Sequence, residues 1–195
     1  MKTLILLIDF YGHPALTTDP YSDSVRYSHL TEIISSGFID KKNCVFFSTT
    51  IHDNDKRLVE LRHMAISKGF AFVTPLDNIT SITWDEHDNN YTIDYLKSKL
   101  KDVMKIDNTD TQIIVTGTNT SGCVFKNKDI GAFHWSKADY KTKIYLPMCA
   151  EYENKGINDF ERNMLGVASL YKQMQKEKCF NIKICRDFND LNLPV

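Results

Sequence analysis

The chain has 195 residues, 42% of them hydrophobic and 11% aromatic, and a formal net charge of −1. That length suits one domain with a sizeable core, and the apolar content excludes a disordered chain. The near-neutral charge supplies no global field for nucleic acid or an anionic membrane, and every apolar run falls far short of the roughly 20 residues a membrane helix needs.

The chain opens on Met1-Lys2-Thr3 and a continuous apolar run over 4–8. A basic residue before an apolar run is how a signal peptide starts. Here the run stops at Asp9 without a small-residue cleavage site, which predicts a strand buried on both faces. Five cysteines (Cys44, Cys123, Cys149, Cys179 and Cys185) are odd in number, widely spaced and free of any C-x-x-C pair. That usage predicts free thiols in a reducing compartment, hence a soluble, cytoplasmic, single domain over 1–195. Asp9 ends the first strand, where open α/β sheets build their sites. Taken alone, it fits better an aspartate that caps the turn at Phe10-Tyr11-Gly12.

A helix follows over 22–36 (Val25, Leu30, Ile33, Ile34), stopped by Gly37. A second strand over 43–48 leads to Thr49-Thr50-Ile51-His52, and a charged amphipathic helix spans 55–68 before Gly69. Two segments, 70–73 and 79–84, compete to be the third strand, the other being an edge piece or insertion. An acidic loop at 85–90 precedes a helix over 91–104 with Ile93, Leu96, Leu100 and Val103 on one face. Its lysines, Lys97, Lys99, Lys101 and Lys105, alternate with acids and read as a solvated face.

The most informative stretch is 111–125. Ile113 to Val115 reads as a buried strand, and Gly117 to Gly122 is a run of small and hydroxyl residues that cannot extend it. From Cys123 the spacing of Val124, Lys128, Gly131 and Trp135 predicts a helix through Lys137. A cysteine at such a turn lies among outward-pointing N–H groups, which stabilise a thiolate and can hold an oxyanion. The plainer reading is a small buried cysteine capping a core helix.

Beyond it come a fifth strand over 143–150, with Cys149 expected to pack in the core, and a helix over 158–175. That helix carries Phe160, Met164, Val167, Ala168 and Tyr171 on its apolar face. An edge strand over 179–185 and a tail over 189–195, frayed or available for subunit packing, complete the chain. Strands alternating with helices predict a three-layer α/β/α domain, Rossmann-like, with a mainly parallel six-stranded sheet. First and fourth strands side by side would bring Asp9 and Cys123 to one cleft.

Gly117-x-x-Thr120-x-x-Cys123-Val124 at the end of an apolar strand resembles the nucleophile turn of the isochorismatase-like cysteine hydrolases. That family includes nicotinamidases, N-carbamoyl amidohydrolases and isochorismatases. The resemblance implies a small amide-like or related C–N or C–O substrate, Cys123 as nucleophile, Asp9 as base, no cofactor, and a homo-oligomer of two or more copies. It also implies an oxyanion hole from the backbone N–H groups of Asn119 and Cys123, with a cis peptide between Asn119 and Thr120. Phe10, Tyr11, His52 and Trp84 would line the substrate pocket. Three departures stand out. Phe10-Tyr11 replaces the family's Gln or Asn; Thr50-x-His52 replaces the Asp-x-His metal pair of nicotinamidases; and no lysine lies between Gly69 and Leu96, where the family keeps one. His52 alone does not make a catalytic zinc site, which takes three protein ligands, and nothing in the spacing of His63 and His87 recruits them, so no metal is expected. The alternative is a catalytically impaired relative that binds a small molecule or a protein, the aromatics having enlarged its stacking surface.

Overall fold

The structure, a computed structural model, describes residues 1–9, 20–37, 39–49, 56–75, 92–126, 129–151 and 158–193. At its centre is β1 (Lys2–Ile8), whose residues from Leu4 to Ile8 are all fully buried. The side chains alternate between two cores. Leu4, Leu6 and Ile8 enter one, and Ile5 and Leu7 the other. A strand covered on both faces must be apolar at every position, which is why the run carries no polar alternation.

On one side β1 pairs with β2 (Cys44–Ser48), and β2 with β3 (Ala71–Val73). On the other it pairs with β4 (Thr111–Thr118), followed by β5 (Lys141–Ala150) and β6 (Lys183–Cys185). The order is β3-β2-β1-β4-β5-β6 and every pairing is parallel. Helices α1 (Pro20–Ser35) and α2 (Lys56–Ser67) cover one face. Helices α3 (Ile93–Leu100), α4 (Ala132–Lys137) and α5 (Asp159–Lys176) cover the other, giving the three-layer α/β/α arrangement.

Several elements differ from their sequence reading. Residues 71–73 form the third strand, and the competing segment 79–84 lies outside the described residues. The stretch after Cys123 is not one helix. It is a π-helical turn, Thr120–Val124, and then α4, with Gly131 as N-cap rather than interior. Gly131 must be glycine because a Cβ there would sit 2.6 Å from the Phe125 carbonyl oxygen, where the chain folds back over the turn. Lys99 is 3% exposed instead of solvated, and its ammonium donates to the Pro75 carbonyl at 3.1 Å. Cys179 closes the end of α5 by donating its N–H to Met174 O, so the edge strand is shorter than expected. The tail is anchored: Leu191 is fully buried, and Lys143 donates to its carbonyl.

Helix α5 turns the other way round from its reading. Its buried side carries Arg162, Gly166, Leu170 and Met174, while Phe160, Met164 and Tyr171 of the expected core face are exposed.

Candidate active site

Ile8 and Gly117 are register partners at the carboxyl ends of β1 and β4. Both strands then leave the sheet through a residue in the left-handed region, Asp9 at φ 45° and Asn119 at φ 65°. Asp and Asn are the L residues that tolerate this conformation best. Asp9 is half-buried and held by Thr49, the residue after β2. The Thr49 hydroxyl accepts from the Asp9 N–H at 2.9 Å and donates to Asp9 Oδ1 at 3.3 Å. The carboxylate therefore has a fixed orientation at the mouth of the central strand pair.

On the β4 side, Asn119 organises the turn. Its side-chain oxygen accepts from the Gly122 N–H at 2.9 Å, and its carbonyl accepts from the Gly122 and Val124 N–H groups, each at 3.1 Å. Gly122 lacks a Cβ for good reason, since one would stand 2.6 Å from Asn119 Oδ1. Cys123 follows, 8% exposed, its side chain in the core cluster of the α3–α5 face. Asp9, Asn119, Thr120 and Cys123 thus gather at one end of two adjacent strands.

The oxyanion arrangement implied by the resemblance is absent here in two respects. Among the described residues every peptide bond is trans, Asn119–Thr120 included. The Asn119 N–H, expected to face a substrate oxygen, donates to the Ala150 carbonyl at 2.7 Å. That amide belongs to the peptide that follows Thr118, the last β4 residue paired with β5, so it extends the β4–β5 ladder.

Glu151, just past β5, completes the turn from beneath. Its Oε1 accepts from the Thr120 N–H at 2.8 Å, and its own N–H donates to Asn163 Oδ1 of α5 at 3.1 Å. The carboxylate fits against Gly166, where a Cβ would lie 2.1 Å from Oε1. Burial raises the Glu151 carboxyl above its ordinary range, and the Thr120 hydrogen bond and the Arg162 charge offset part of that. Since folding raises this pKa, the protonated form is the one the fold favours. That contribution is complete below the unfolded value of 4.5 and is lost as pH climbs through the folded one. Glu151→Gln keeps an acceptor for Thr120 but never ionises. Its stability relative to the native chain is expected to rise with pH over that window, on top of a constant offset. Urea midpoints of both proteins at several pH values check this, and a difference that does not change with pH removes the idea.

Glu151, Thr49 and Lys99 were not singled out as site residues from the sequence. Glu151 had a usable signal, because it is a carboxylate at the end of a parallel strand, the same sign that marked Asp9. Lys99 brings a buried ammonium to Pro75, two residues beyond β3, from within α3 instead of ahead of it. Arg26 of α1, 1% exposed, donates to Thr118 Oγ1 at 2.8 Å and ties that helix to the end of β4. Beside the turn a cavity of about 210 Å³ opens between Val25 of α1 and Val167 of α5, with Thr120, Cys149 and Asn163 in its wall.

Phe10, Tyr11, His52 and Trp84, the expected pocket residues, lie outside the described residues. Among the described residues no three His, Cys, Asp or Glu side chains cluster as metal ligands, and no helix is long and apolar enough to cross a membrane. Compared with models of known protein families and with curated proteins, the chain matches none.

Proposed function

We propose that the chain is a cysteine hydrolase of the isochorismatase-like type, acting on a small amide-like or related C–N or C–O substrate. The observation that carries this reading is placement. Asp9 and Cys123 leave the carboxyl ends of two strands that are direct parallel neighbours, with Ile8 and Gly117 in register. In the proposed reaction Asp9 takes the Cys123 thiol proton as the sulfur attacks the substrate carbon, and returns it to the departing group. Water, deprotonated by Asp9, then breaks the carbon–sulfur bond and restores the thiol. Thr49 orients the base. The reading carries with it a cytoplasmic homo-oligomer with no cofactor and no bound metal. None of the five cysteines is joined in a disulfide, which supports a reducing compartment.

One observation favours a second reading, a binding protein on the same scaffold. The Asn119 N–H is committed to Ala150 and the Thr120 N–H to Glu151, so two donors of the turn are satisfied internally.

Alkylation rates of the five cysteines in the native protein, followed against pH by mass spectrometry, separate the two. Burial pushes the Cys149 thiol up to about 11 and the Cys44 thiol up to about 12. Both residues are therefore expected to label far more slowly than an ordinary thiol and to serve as internal references. Cys123 reacting far faster, with an apparent pKa well below about 8.5, supports the hydrolase. Cys123 labelling no faster than Cys149 or Cys185 abandons it for the binding protein.

A further inference from the structure

Four of the large apolar side chains exposed among the described residues belong to α5: Phe160 at 76%, Met164 at 54%, Leu165 at 60% and Tyr171 at 38%. Phe160, Met164, Ala168 and Tyr171 are spaced by four, four and three residues, which places them in one stripe down the helix, with Leu165 at its edge. Eleven residues of helix make that stripe about 16 Å long. The opposite side of α5, with Arg162, Gly166, Leu170 and Met174, is the one the domain covers. A helix with its core face already satisfied has no internal use for a second apolar face.

We propose that this stripe is where two copies of the chain join, α5 packing antiparallel on the partner's α5 about a two-fold axis. The pattern is complementary to itself only in that orientation. Reversing the helix sets Phe160 against the partner's Tyr171 and Met164 against the partner's Ala168, whose small side chain admits close approach at the centre. Exposed charge follows the same symmetry. Glu161 lies near the start of α5 and Lys172 and Lys176 near its end, so the antiparallel pair brings Glu161 beside the partner's Lys172 on both sides of the axis. A parallel pair would stack like charge on like and align the two helix dipoles unfavourably.

This deepens the homo-oligomer part of the reading above, but its test does not touch the thiol. A monomeric chain would remove the homo-oligomer part of that reading and leave the cysteine chemistry standing, and an unreactive Cys123 would leave the dimer standing.

The test is sedimentation of the full chain across a concentration series. The native protein is expected to run as two chains of 22.5 kDa each. Met164→Glu is expected to weaken the dimer at least about 100-fold without changing the thermal midpoint of the monomer, because the side chain is exposed. Glu161→Lys and Lys172→Glu are each expected to weaken it about tenfold, and the double reversal to return it to within about threefold of native. That restoration cannot come from a variant that merely fails to fold. A native chain that stays monomeric overturns the proposal, and the stripe then serves a different protein. A dimer indifferent to Met164→Glu overturns it too, by placing the contact on another face.

Discussion

Gly117→Ala is expected to destabilise the chain by about 4 kcal/mol or more, a large share of the roughly 5–15 kcal/mol that holds a domain folded. Gly117 is at φ +137°, a region L side chains rarely adopt, and it marks the irregularity in the β4–β5 pairing between Val115 and Gly117. A Cβ placed there would meet Ile8 O at 1.8 Å, Ile8 C at 2.7 Å and Ile8 N at 2.9 Å. These are backbone atoms of a fully buried central strand paired on both sides, so no side-chain rotation relieves the clash. Either β1 and β4 separate at their carboxyl ends or the chain does not close. Gly37 provides the control. It is also left-handed, at φ +68°, but a Cβ there meets nothing within 4 Å. Gly37→Ala is expected to cost about 1 kcal/mol, the conformational term alone. Urea midpoints at constant slope measure both, and a Gly117→Ala shift worth no more than that of Gly37→Ala would show that β4 does not press on Ile8 as described.

The largest functional effect is expected from Cys123→Ala. On any small amide-like compound that the native chain turns over, the variant should lose activity by about 10⁴-fold or more, because the proposed nucleophile is removed. Stability should change by no more than about 1 kcal/mol. The hydrogen bonds that shape the turn run through Asn119, Gly122, Val124 and Glu151, and the substitution leaves all four in place. The contrast is the informative part. Turnover and stability falling together would assign Cys123 to packing, and turnover persisting in a folded variant would end the cysteine mechanism.

Much of this architecture is legible in the sequence because burial on both faces leaves a plain mark. The run over 4–8 reads as a buried strand once its stop at Asp9 sets aside a signal peptide, and the β-branched stretch ending before Gly117 is nearly as clear. The third strand is harder. Residues 70–73 and 79–84 carry similar patterns, and only pairing with β2 at Val45, Phe46 and Phe47 selects the first. Helical periodicity finds an apolar stripe on α5 but does not say which side the domain uses. Here the inner side must admit the Glu151 carboxylate, so it carries Gly166 and Arg162, two residues that no hydrophobic count places in a core. Lys99 misled for a related reason. Lys97 and Lys101, two positions away on either side, are charged, whereas its ammonium reaches a carbonyl beyond β3, 24 residues earlier in the chain. Thr49 carries no local mark at all, because its partner Asp9 is 40 residues away.

Glu151 and Gly166 form a lock in which one position is shaped as the negative of the other. The carboxylate reaches the Thr120 amide only because α5 offers a hollow at Gly166, and that hollow would otherwise be a void beside the turn. The two positions are therefore not free to vary separately. A larger residue at 166 expels the Glu151 side chain, and a shorter residue at 151 leaves α5 without its filling. Among descendants of this chain, change at either position should persist only alongside change at the other, an epistatic pair 15 residues apart in sequence whose joint state sets the shape of the loop that carries Cys123.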